Sequence, residues 1–176
     1  MASVCLFVFI FILFGRVRVM LGFTRKRIVI AAPMDGIVIP ITEVDDPVFS
    51  EEVLGRGVAI KPSSGCVRAP AKAAISMMFE TGHAVSIITD SGVELLIHVG
   101  LDTVKLKGKH YTKLKESDEN VNMGDALIVF DTSAITAEGY DTMTPIVVCN
   151  PDAFSEISFA KKGIIHAGDP LITLKA

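Results

Sequence analysis

The sequence predicts an all-β domain, an antiparallel β-sandwich or barrel built from repeated hairpin units with at most short helices. Two observations carry this prediction. Short segments rich in Val, Ile, Leu and Thr are separated at close intervals by turn-forming pairs such as Asp35-Gly36 and Ser91-Gly92, a pattern typical of sandwiches and barrels. Only the stretch around Ser133–Glu138 resembles a helix, and the sequence contains neither alternating strand–helix units nor a glycine-rich phosphate loop.

Each predicted strand is a β-branched or aliphatic run bounded by a turn signal. The run Val93–Val99 alternates strictly, with Val93, Leu95, Ile97 and Val99 on one side, which is the period of a strand with one buried face. The same criteria predict, in chain order, Ile28–Ala32, Ile37–Ile41, Val58–Lys61, Val85–Thr89, Val93–Val99, Leu127–Phe130, Ile146–Cys149 and Leu171–Leu174.

Two pairs of segments repeat within the chain. The segment 32–37 (APMDGI) is similar to 69–75 (APAKAAI), and the segment 124–128 (GDALI) is similar to 168–172 (GDPLI). Each is a turn that leads into an apolar strand, which suggests a sandwich built partly from repeated hairpins, although turn chemistry also recurs by chance in motifs this short.

Length and charge narrow the function classes. The 176 residues suit one domain, predicted at 28–176. Residues 1–27 carry five basic residues and no acidic ones, whereas the rest carries 12 basic and 20 acidic residues. An acidic body without tryptophan argues against sequence-independent nucleic-acid binding, which needs clustered positive charge, and suits a basic protein partner.

The first 27 residues form an apolar and then basic extension. Its apolar run, 3–14, is shorter than the roughly 20 residues of a spanning helix, and its positive charges follow the run instead of preceding it. Three readings stay open: translation that starts at Met20, a weak membrane tether, or a signal segment. The three cysteines, Cys5, Cys66 and Cys149, form no CxxC pair, which predicts a reducing compartment and hence a cytoplasmic protein.

Two histidines flank one tight turn. If the loop near Asp90–Gly92 has an even number of residues, paired positions in the hairpin have numbers that add to 181 or 183, so His83 and His98 share a sheet face. Their Cβ atoms are then about 5 Å apart if opposite and about 7–8 Å apart if diagonal. A three-residue loop predicts opposite faces instead. His98 points away from the apolar side of its strand.

The residue types separate the chemical options for this pair. Zinc takes three or four ligands, and no third ligand follows the two histidines at close spacing. A neutral imidazole is a good nucleophile near neutral pH, and a second imidazole can donate a hydrogen bond to phosphoryl oxygens. From the pattern alone, two partly exposed histidines without a role remain an alternative.

Two segments carry a family resemblance. The stretch 92–104 (GVELLIHVGLDTV) resembles the active-site signature of the glucose-type IIA domain (EIIA type 1) of the bacterial phosphoenolpyruvate-dependent sugar phosphotransferase system, and 79–84 (FETGHA) matches that family's second histidine segment. The resemblance extends over roughly residues 28–176, and further matching segments are Ala32–Gly36, Asp46–Ser50, Gly57–Pro62 and Thr144–Val148.

The resemblance implies a phosphocarrier without a bound cofactor. The carrier protein HPr would hand a phosphoryl group to Nε2 of His98, which would pass it to a cysteine of the cognate IIB domain of a sugar permease. His83 would stabilise the phosphoryl group, and Thr81 would hold His83. The chemistry requires the proton of His98 on Nδ1, donated to a backbone carbonyl. Some members of the family bind zinc through these two histidines and a partner's carboxylate, which the resemblance makes an option for His83 and His98.

The resemblance also assigns a docking surface. Val48, Phe49 and Phe79 would form an apolar rim around the phosphohistidine, and Asp46 and Asp102 would receive arginines of HPr. Without the resemblance, the apolar residues could equally be core and the aspartates a solvated acidic loop.

The chain departs from the family pattern in three turns. Ala71-Lys72-Ala73 replaces a Val-Asp-Gly-like turn, Arg56 stands where Asp is frequent, and the segment 108–111 (GKHY) replaces Gly-Glu-Gly-Phe. His110 and His166 match no active position and are predicted to be surface residues. The rival functions are a biotinyl or lipoyl carrier, for which the required lysine at a hairpin tip is missing, and a zinc-binding β domain such as a peptidase, for which no His-x-His pair exists.

Overall fold

The computed structural model describes residues 26–176, and these residues fold into three antiparallel sheets. The predicted all-β antiparallel class with at most short helices is confirmed. The strands are β1 (Arg27–Ala31), β2 (Gly36–Pro40), β3 (Arg56–Pro62), β4 (Cys66–Arg68), β5 (Ala73–Met78), β6 (Ala84–Thr89), β7 (Glu94–His98), β8 (Tyr111–Lys113), β9 (Asn120–Val121), β10 (Ala126–Phe130), β11 (Thr144–Val148), β12 (Glu156–Phe159), β13 (Gly163–Ile165) and β14 (Pro170–Lys175). The largest sheet has eight strands in the order β13-β2-β3-β11-β7-β6-β5-β9, and the two smaller sheets have the orders β1-β14-β12 and β4-β10-β8.

One apolar core joins the three sheets. Ile30 of β1, Ile97 of β7 and Leu127 of β10, one from each sheet, are fully buried members of a single cluster. Along β7 the buried and less buried residues alternate, because successive side chains of a strand point to opposite faces. The apolar alternation noted at Val93–Val99 therefore marks the core side of this strand.

Helical structure is confined to short pieces. The described residues contain helix α1 (Pro47–Ser50), helix α2 (Thr132–Ala137) and, elsewhere in the chain, three 3-10 turns at Ile41–Glu43, Thr103–Leu106 and Pro151–Ala153. Helix α2 lies one residue earlier than the predicted helix around Ser133–Glu138, and α1 was not expected. Each of the two helices begins at an aspartate whose carboxylate accepts a backbone N–H in the first turn, which stabilises a helix too short to persist alone.

The repeated segments dock on each other in matching pairs. Ala32 exchanges two backbone hydrogen bonds with the turn 168–169, at 2.7 and 3.0 Å, and Ala69 exchanges two with the turn 124–125, at 2.8 and 2.9 Å. In both turns the aspartate carboxylate accepts the backbone N–H three residues earlier. The sequence repetition therefore corresponds to one structural unit used twice.

The N-terminal extension is outside this description. The predicted apolar run and the predicted start at Met20 lie outside the described residues, as does most of the predicted segment 1–27. Strand β1 begins at Arg27. Within residues 26–176, none of the helices has the length and hydropathy needed to span a membrane.

The β6–β7 hairpin has a different register from the one expected. Ala84 pairs with His98, so the numbers of paired residues add to 182, and the N–H of Thr89 donates to the carbonyl of Val93 at 3.0 Å. The loop therefore has three residues, 90–92, and the expectation of an even-numbered loop is wrong. Gly92 adopts a φ of +78°, the left-handed conformation that commonly closes such loops.

A second glycine shapes the far end of the same hairpin. Gly100, directly beyond β7, has a φ of +82°, and a Cβ placed there would lie 2.4 Å from Cγ2 of Thr103 and 2.9 Å from the carbonyl oxygen of Asp141. Gly92 has a similar φ, but a Cβ there would meet no atom within 4 Å. The two glycines share a backbone conformation and differ in the space around them.

We expect Gly100→Ala to lower the free energy of unfolding more than Gly92→Ala. The shared left-handed conformation costs alanine about 1 kcal/mol at either position. Overpacking adds about 1–3 kcal/mol at Gly100 alone, because backbone and a buried methyl group must move. Urea unfolding of both variants beside the wild type measures the difference. Equal losses for the two variants would show that the turn after β7 accommodates a side chain.

Candidate functional site

His98 is the last residue of β7, and its ring is held in one tautomer. Its Nδ1 lies 2.7 Å from the carbonyl oxygen of Gly100. A carbonyl only accepts hydrogen bonds, so Nδ1 must carry the proton, and a neutral ring then has its lone pair on Nε2. The arrangement that the chemistry requires of a nucleophilic histidine is present in the structure. The ring is half-buried.

His83 meets His98 although their backbone register places them on opposite faces of the sheet. The two ring centroids lie 4.9 Å apart, with an angle of 80° between the ring planes. Strand β6 begins at Ala84, so His83 lies just outside it and follows Gly82, whose φ is +68°. The strict alternation of a pleated strand does not apply there. The rings are therefore brought together by the turn before β6 and not by the strand register.

Thr81 holds the ring of His83. Its hydroxyl is hydrogen-bonded to Nδ1 of His83, and the histidine is only 4% exposed. The backbone around the pair is also joined, since the N–H of Val99 donates to the carbonyl of His83 at 2.7 Å. The three residues that the resemblance assigns to catalysis, Thr81, His83 and His98, thus form one contiguous group.

Two phenylalanine rings enclose the histidines on either side. Phe49 of α1 lies 5.3 Å from His98 between ring centroids, and Phe79 lies 5.4 Å from His83 in an edge-to-face arrangement. Phe49 is buried in a second apolar cluster with Ile41, Val44, Ala59 and Val147, whereas Val48 is 44% exposed. Of the predicted apolar rim, Phe49 therefore belongs to the interior and Val48 to the accessible surface.

The two predicted acidic residues stand near His98. Both Asp46 and Asp102 act on its charge through space. The carboxylate of Asp46 accepts the backbone N–H of Val48 at 2.9 Å at the start of α1. The carboxylate of Asp102 is exposed and pairs with Lys105, with 2.6 Å between Nζ and Oδ2. This pairing was not foreseen, and a basic partner would have to compete with Lys105.

Both histidines favour the neutral state. Burial lowers the pKa of His83 to about 4, and the neighbouring His98 adds to the effect. Burial also lowers the pKa of His98, although the hydrogen bond to Gly100 and the charges of Asp46 and Asp102 oppose this. Near neutral pH the site therefore holds two uncharged imidazoles, one with a defined free lone pair.

Two further residues at this site were missed by the sequence reasoning. The hydroxyl of Thr103 donates to the carbonyl oxygen of Val99 at 2.7 Å, and the hydroxyl of Tyr111 donates to the same oxygen at 3.0 Å. Thr103 is fully buried and belongs to the same signature as His98, whereas Tyr111 lies in the segment 108–111 that departs from the family pattern. A polar residue within an apolar signature was the available signal for Thr103.

The remaining histidines lie in other surroundings. Nε2 of His110 is 3.3 Å from a carboxylate oxygen of Glu138, and His166 is largely exposed beside Asp35. Across residues 26–176 the structure groups no three His, Cys, Asp or Glu side chains in a way that could hold a metal ion. Zinc bound by His83 and His98 with a partner's carboxylate stays a prediction.

Comparisons with known proteins agree on one family for this chain. The family model for the phosphoenolpyruvate-dependent sugar phosphotransferase system, EIIA 1, matches residues 28–154. The glucose-specific EIIA component of the phosphotransferase system from Buchnera aphidicola subsp. Acyrthosiphon pisum (strain APS) is 43% identical over 150 residues, which cover 85% of this chain and 92% of the relative. The solved structure of the glucose permease IIA from Mycoplasma capricolum superimposes with a TM-score of 0.80 at 36% identity, covering 86% of this chain and 97% of that one.

We expect the burial of His83 to make the protein less stable as the pH falls. Because the folded pKa is about 4 and the unfolded value is about 6.5, the unfolded state binds more protons between these values. This contribution is fully present above pH 6.5, and about 3 kcal/mol of it is lost as the pH falls through 6.5 to 4. Urea unfolding at several pH values, for the wild type and His83→Gln, measures it. The prediction is wrong if both proteins lose the same free energy over this window.

Proposed function

Because the chain belongs to the EIIA 1 family of the phosphoenolpyruvate-dependent sugar phosphotransferase system and is a phosphocarrier of that system, we propose that Nε2 of His98 carries the phosphoryl group. The observation that carries the proposal is the hydrogen bond from Nδ1 of His98 to the carbonyl of Gly100, because it leaves Nε2 as the free nucleophile. The family match does not support the alternatives of a biotinyl or lipoyl carrier or a zinc-binding β domain.

In the proposed acceptance step, the lone pair of Nε2 attacks the phosphorus of a phosphohistidine on the donor. The new bond between Nε2 and phosphorus forms as the bond from phosphorus to the donor nitrogen breaks, and no proton has to leave Nε2. Positive charge develops on the ring of His98. The carbonyl of Gly100 and the charges of Asp46 and Asp102 favour that charge. Transfer onward reverses these roles, with a thiolate as the attacking group.

His83 is the proposed stabiliser of the phosphoryl group. For this role the hydrogen bond between Thr81 and Nδ1 of His83 must run from the hydroxyl to the ring nitrogen. The ring then carries its proton on Nε2 and can donate it in a hydrogen bond to a phosphoryl oxygen. The ring contact of 4.9 Å puts this donor beside His98. Burial keeps the imidazole neutral before the phosphoryl group arrives, and the negative charge of that group then favours a proton on the ring.

The proposed partners are HPr as donor and a cysteine of the cognate IIB domain of a sugar permease as acceptor. Phe49 and Phe79 flank the rings and would exclude water from the phosphohistidine, while the exposed Val48 would contact the partner directly. The acidic charges at Asp46 and Asp102 would attract a basic donor surface. The predicted cytoplasmic location belongs to this proposal. The resemblance implies no bound cofactor. The predicted zinc site at His83 and His98 would need a carboxylate of the partner as a further ligand.

We predict that His98→Ala abolishes labelling when the protein is incubated with enzyme I, HPr and phosphoenolpyruvate whose phosphoryl group carries the label. His83→Gln should still accept the label, because the nucleophile is intact, but should release it to the IIB domain at least ten-fold more slowly, since its amide cannot take up the proton that the phosphoryl charge favours on the imidazole. The measurement is the amount of acid-labile, base-stable label on each protein over time.

The control for this experiment is His166→Ala, which removes an exposed histidine beside Asp35 and should behave as the wild type. If His98→Ala accepts label at the normal rate, the assignment of the phosphorylated residue is wrong. If His83→Gln delivers label to IIB normally, His83 has no part in transfer.

We expect charge at the docking surface to set the rate of acceptance. Asp46→Asn and Asp102→Asn should each slow transfer from phosphorylated HPr about three- to ten-fold at low salt, with a smaller effect at high salt. Asparagine is also a good N-cap, so Asp46→Asn preserves α1. Lys105→Gln should speed transfer, because it frees Asp102.

The matched control is Asp152→Asn, which removes an exposed carboxylate near Asn150. Asn150 donates a hydrogen bond to Gly92 in the β6–β7 loop, at the end of β7 that is remote from His98. Stopped-flow transfer kinetics at several ionic strengths provide the comparison. Losses of the same size for the control and the two site variants would mean that net charge, and not these two carboxylates, steers the donor.

A further inference from the structure

The peptide groups of Val99 connect the two histidine segments. The N–H of Val99 donates to the carbonyl of His83 at 2.7 Å, and Val99 directly follows His98 in the chain. The carbonyl of Val99 receives two hydroxyl groups, from Thr103 at 2.7 Å and from Tyr111 at 3.0 Å. Both lone pairs of this oxygen are therefore occupied, and both donors come from outside the sheet that contains His98.

The two donors are themselves firmly placed. Thr103 is fully buried in the 3-10 turn Thr103–Leu106. Tyr111 begins β8, and its ring stacks on Phe130 with 6.4 Å between centroids and 24° between planes. Burial raises the pKa of Tyr111, so its hydroxyl keeps its proton and remains a donor at neutral pH. The Val99 carbonyl thus faces two immobilised donors.

Tyr111 also abuts the segment that carries His83. A Cβ placed on Gly82 would lie 3.3 Å from Cβ of Tyr111, so the chain at Tyr111 packs directly against this glycine. The same residue therefore contacts the turn before His83 through its Cβ and the residue after His98 through its hydroxyl. Tyr111 therefore connects the two histidine segments through these two contacts.

We propose that Thr103 and Tyr111 are positioning residues for phosphoryl transfer, because they hold the Val99 carbonyl and so orient the next carbonyl, that of Gly100, toward Nδ1 of His98. The inference rests on the proposed function of His98. The Val99–Gly100 peptide is planar, so holding the Val99 oxygen in place also fixes the plane that contains the backbone nitrogen and Cα of Gly100. With its φ of +82°, Gly100 then directs its own carbonyl at the ring.

The consequence of losing this hold concerns the proton of His98. If the Gly100 carbonyl moves away from Nδ1, the ring is free to carry its proton on Nε2 instead. That tautomer has no lone pair on Nε2 and cannot attack phosphorus. The donor protein would still dock, because neither Thr103 nor Tyr111 belongs to the proposed docking surface.

The experiment compares Tyr111→Phe and Thr103→Val with two matched controls. Tyr140→Phe removes the hydroxyl of the other tyrosine in the chain, and Thr103→Ser keeps the hydroxyl at the site. One measurement is the ring ¹⁵N NMR spectrum of His98, which distinguishes the Nδ1–H and Nε2–H tautomers. The other is single-turnover transfer from phosphorylated HPr as a function of its concentration.

The expected result is a partial Nε2–H population in Tyr111→Phe and Thr103→Val. The maximal transfer rate should fall about five-fold for each, the effect of losing one ordinary hydrogen bond. The HPr concentration at half-maximal rate should be unchanged. Thr103→Ser and Tyr140→Phe should match the wild type in tautomer and rate.

The proposal is overturned if Tyr111→Phe keeps the Nδ1–H spectrum and the wild-type rate, even where its stability falls, because the hydroxyl is then structural only. Tyr111→Phe decides the question if Thr103→Val does not fold. Failure of the underlying function gives a different result: the wild type then accepts no label on His98, whatever the spectra of the variants.

Discussion

The hydrogen bond from Nδ1 of His98 to the carbonyl of Gly100 determines what this site can do. It chooses between two chemically distinct ring nitrogens and leaves Nε2 as the one with a lone pair. The bond depends on a left-handed glycine packed against Thr103, where a Cβ would have no room. Backbone conformation, core packing and nucleophilicity are therefore linked at one turn beyond the end of β7.

The second constraint is the environment of the paired rings. His83 is buried between Phe79 and His98, and burial disfavours a charge on either imidazole. A neutral pair suits a group that arrives with its own negative charge, because no ion pair has to be broken before it binds. Asp46 and Asp102 favour charge on His98 through space. The site thus combines two uncharged rings with nearby acidic side chains.

Much of this arrangement was readable from the sequence, and the failures have physical reasons. The alternation at Val93–Val99 predicted both the strand and the outward direction of His98. The register was wrong because loops of two, three or four residues near Asp90–Gly92 satisfy the same turn chemistry, and a one-residue difference reverses the face. His83 still reached His98 because it precedes β6, where alternation does not apply. Tyr111 was not foreseen, since its hydroxyl acts on a residue 12 positions away.

We propose that the free Nε2 of His98 receives the phosphoryl group, and NMR of the phosphorylated protein with ¹⁵N-labelled histidine tests this assignment. We expect a ³¹P–¹⁵N coupling to Nε2 of His98, with Nδ1 of the same ring still protonated toward the carbonyl of Gly100. A coupling to Nδ1 of His98, or to a ring nitrogen of any other histidine, would contradict it.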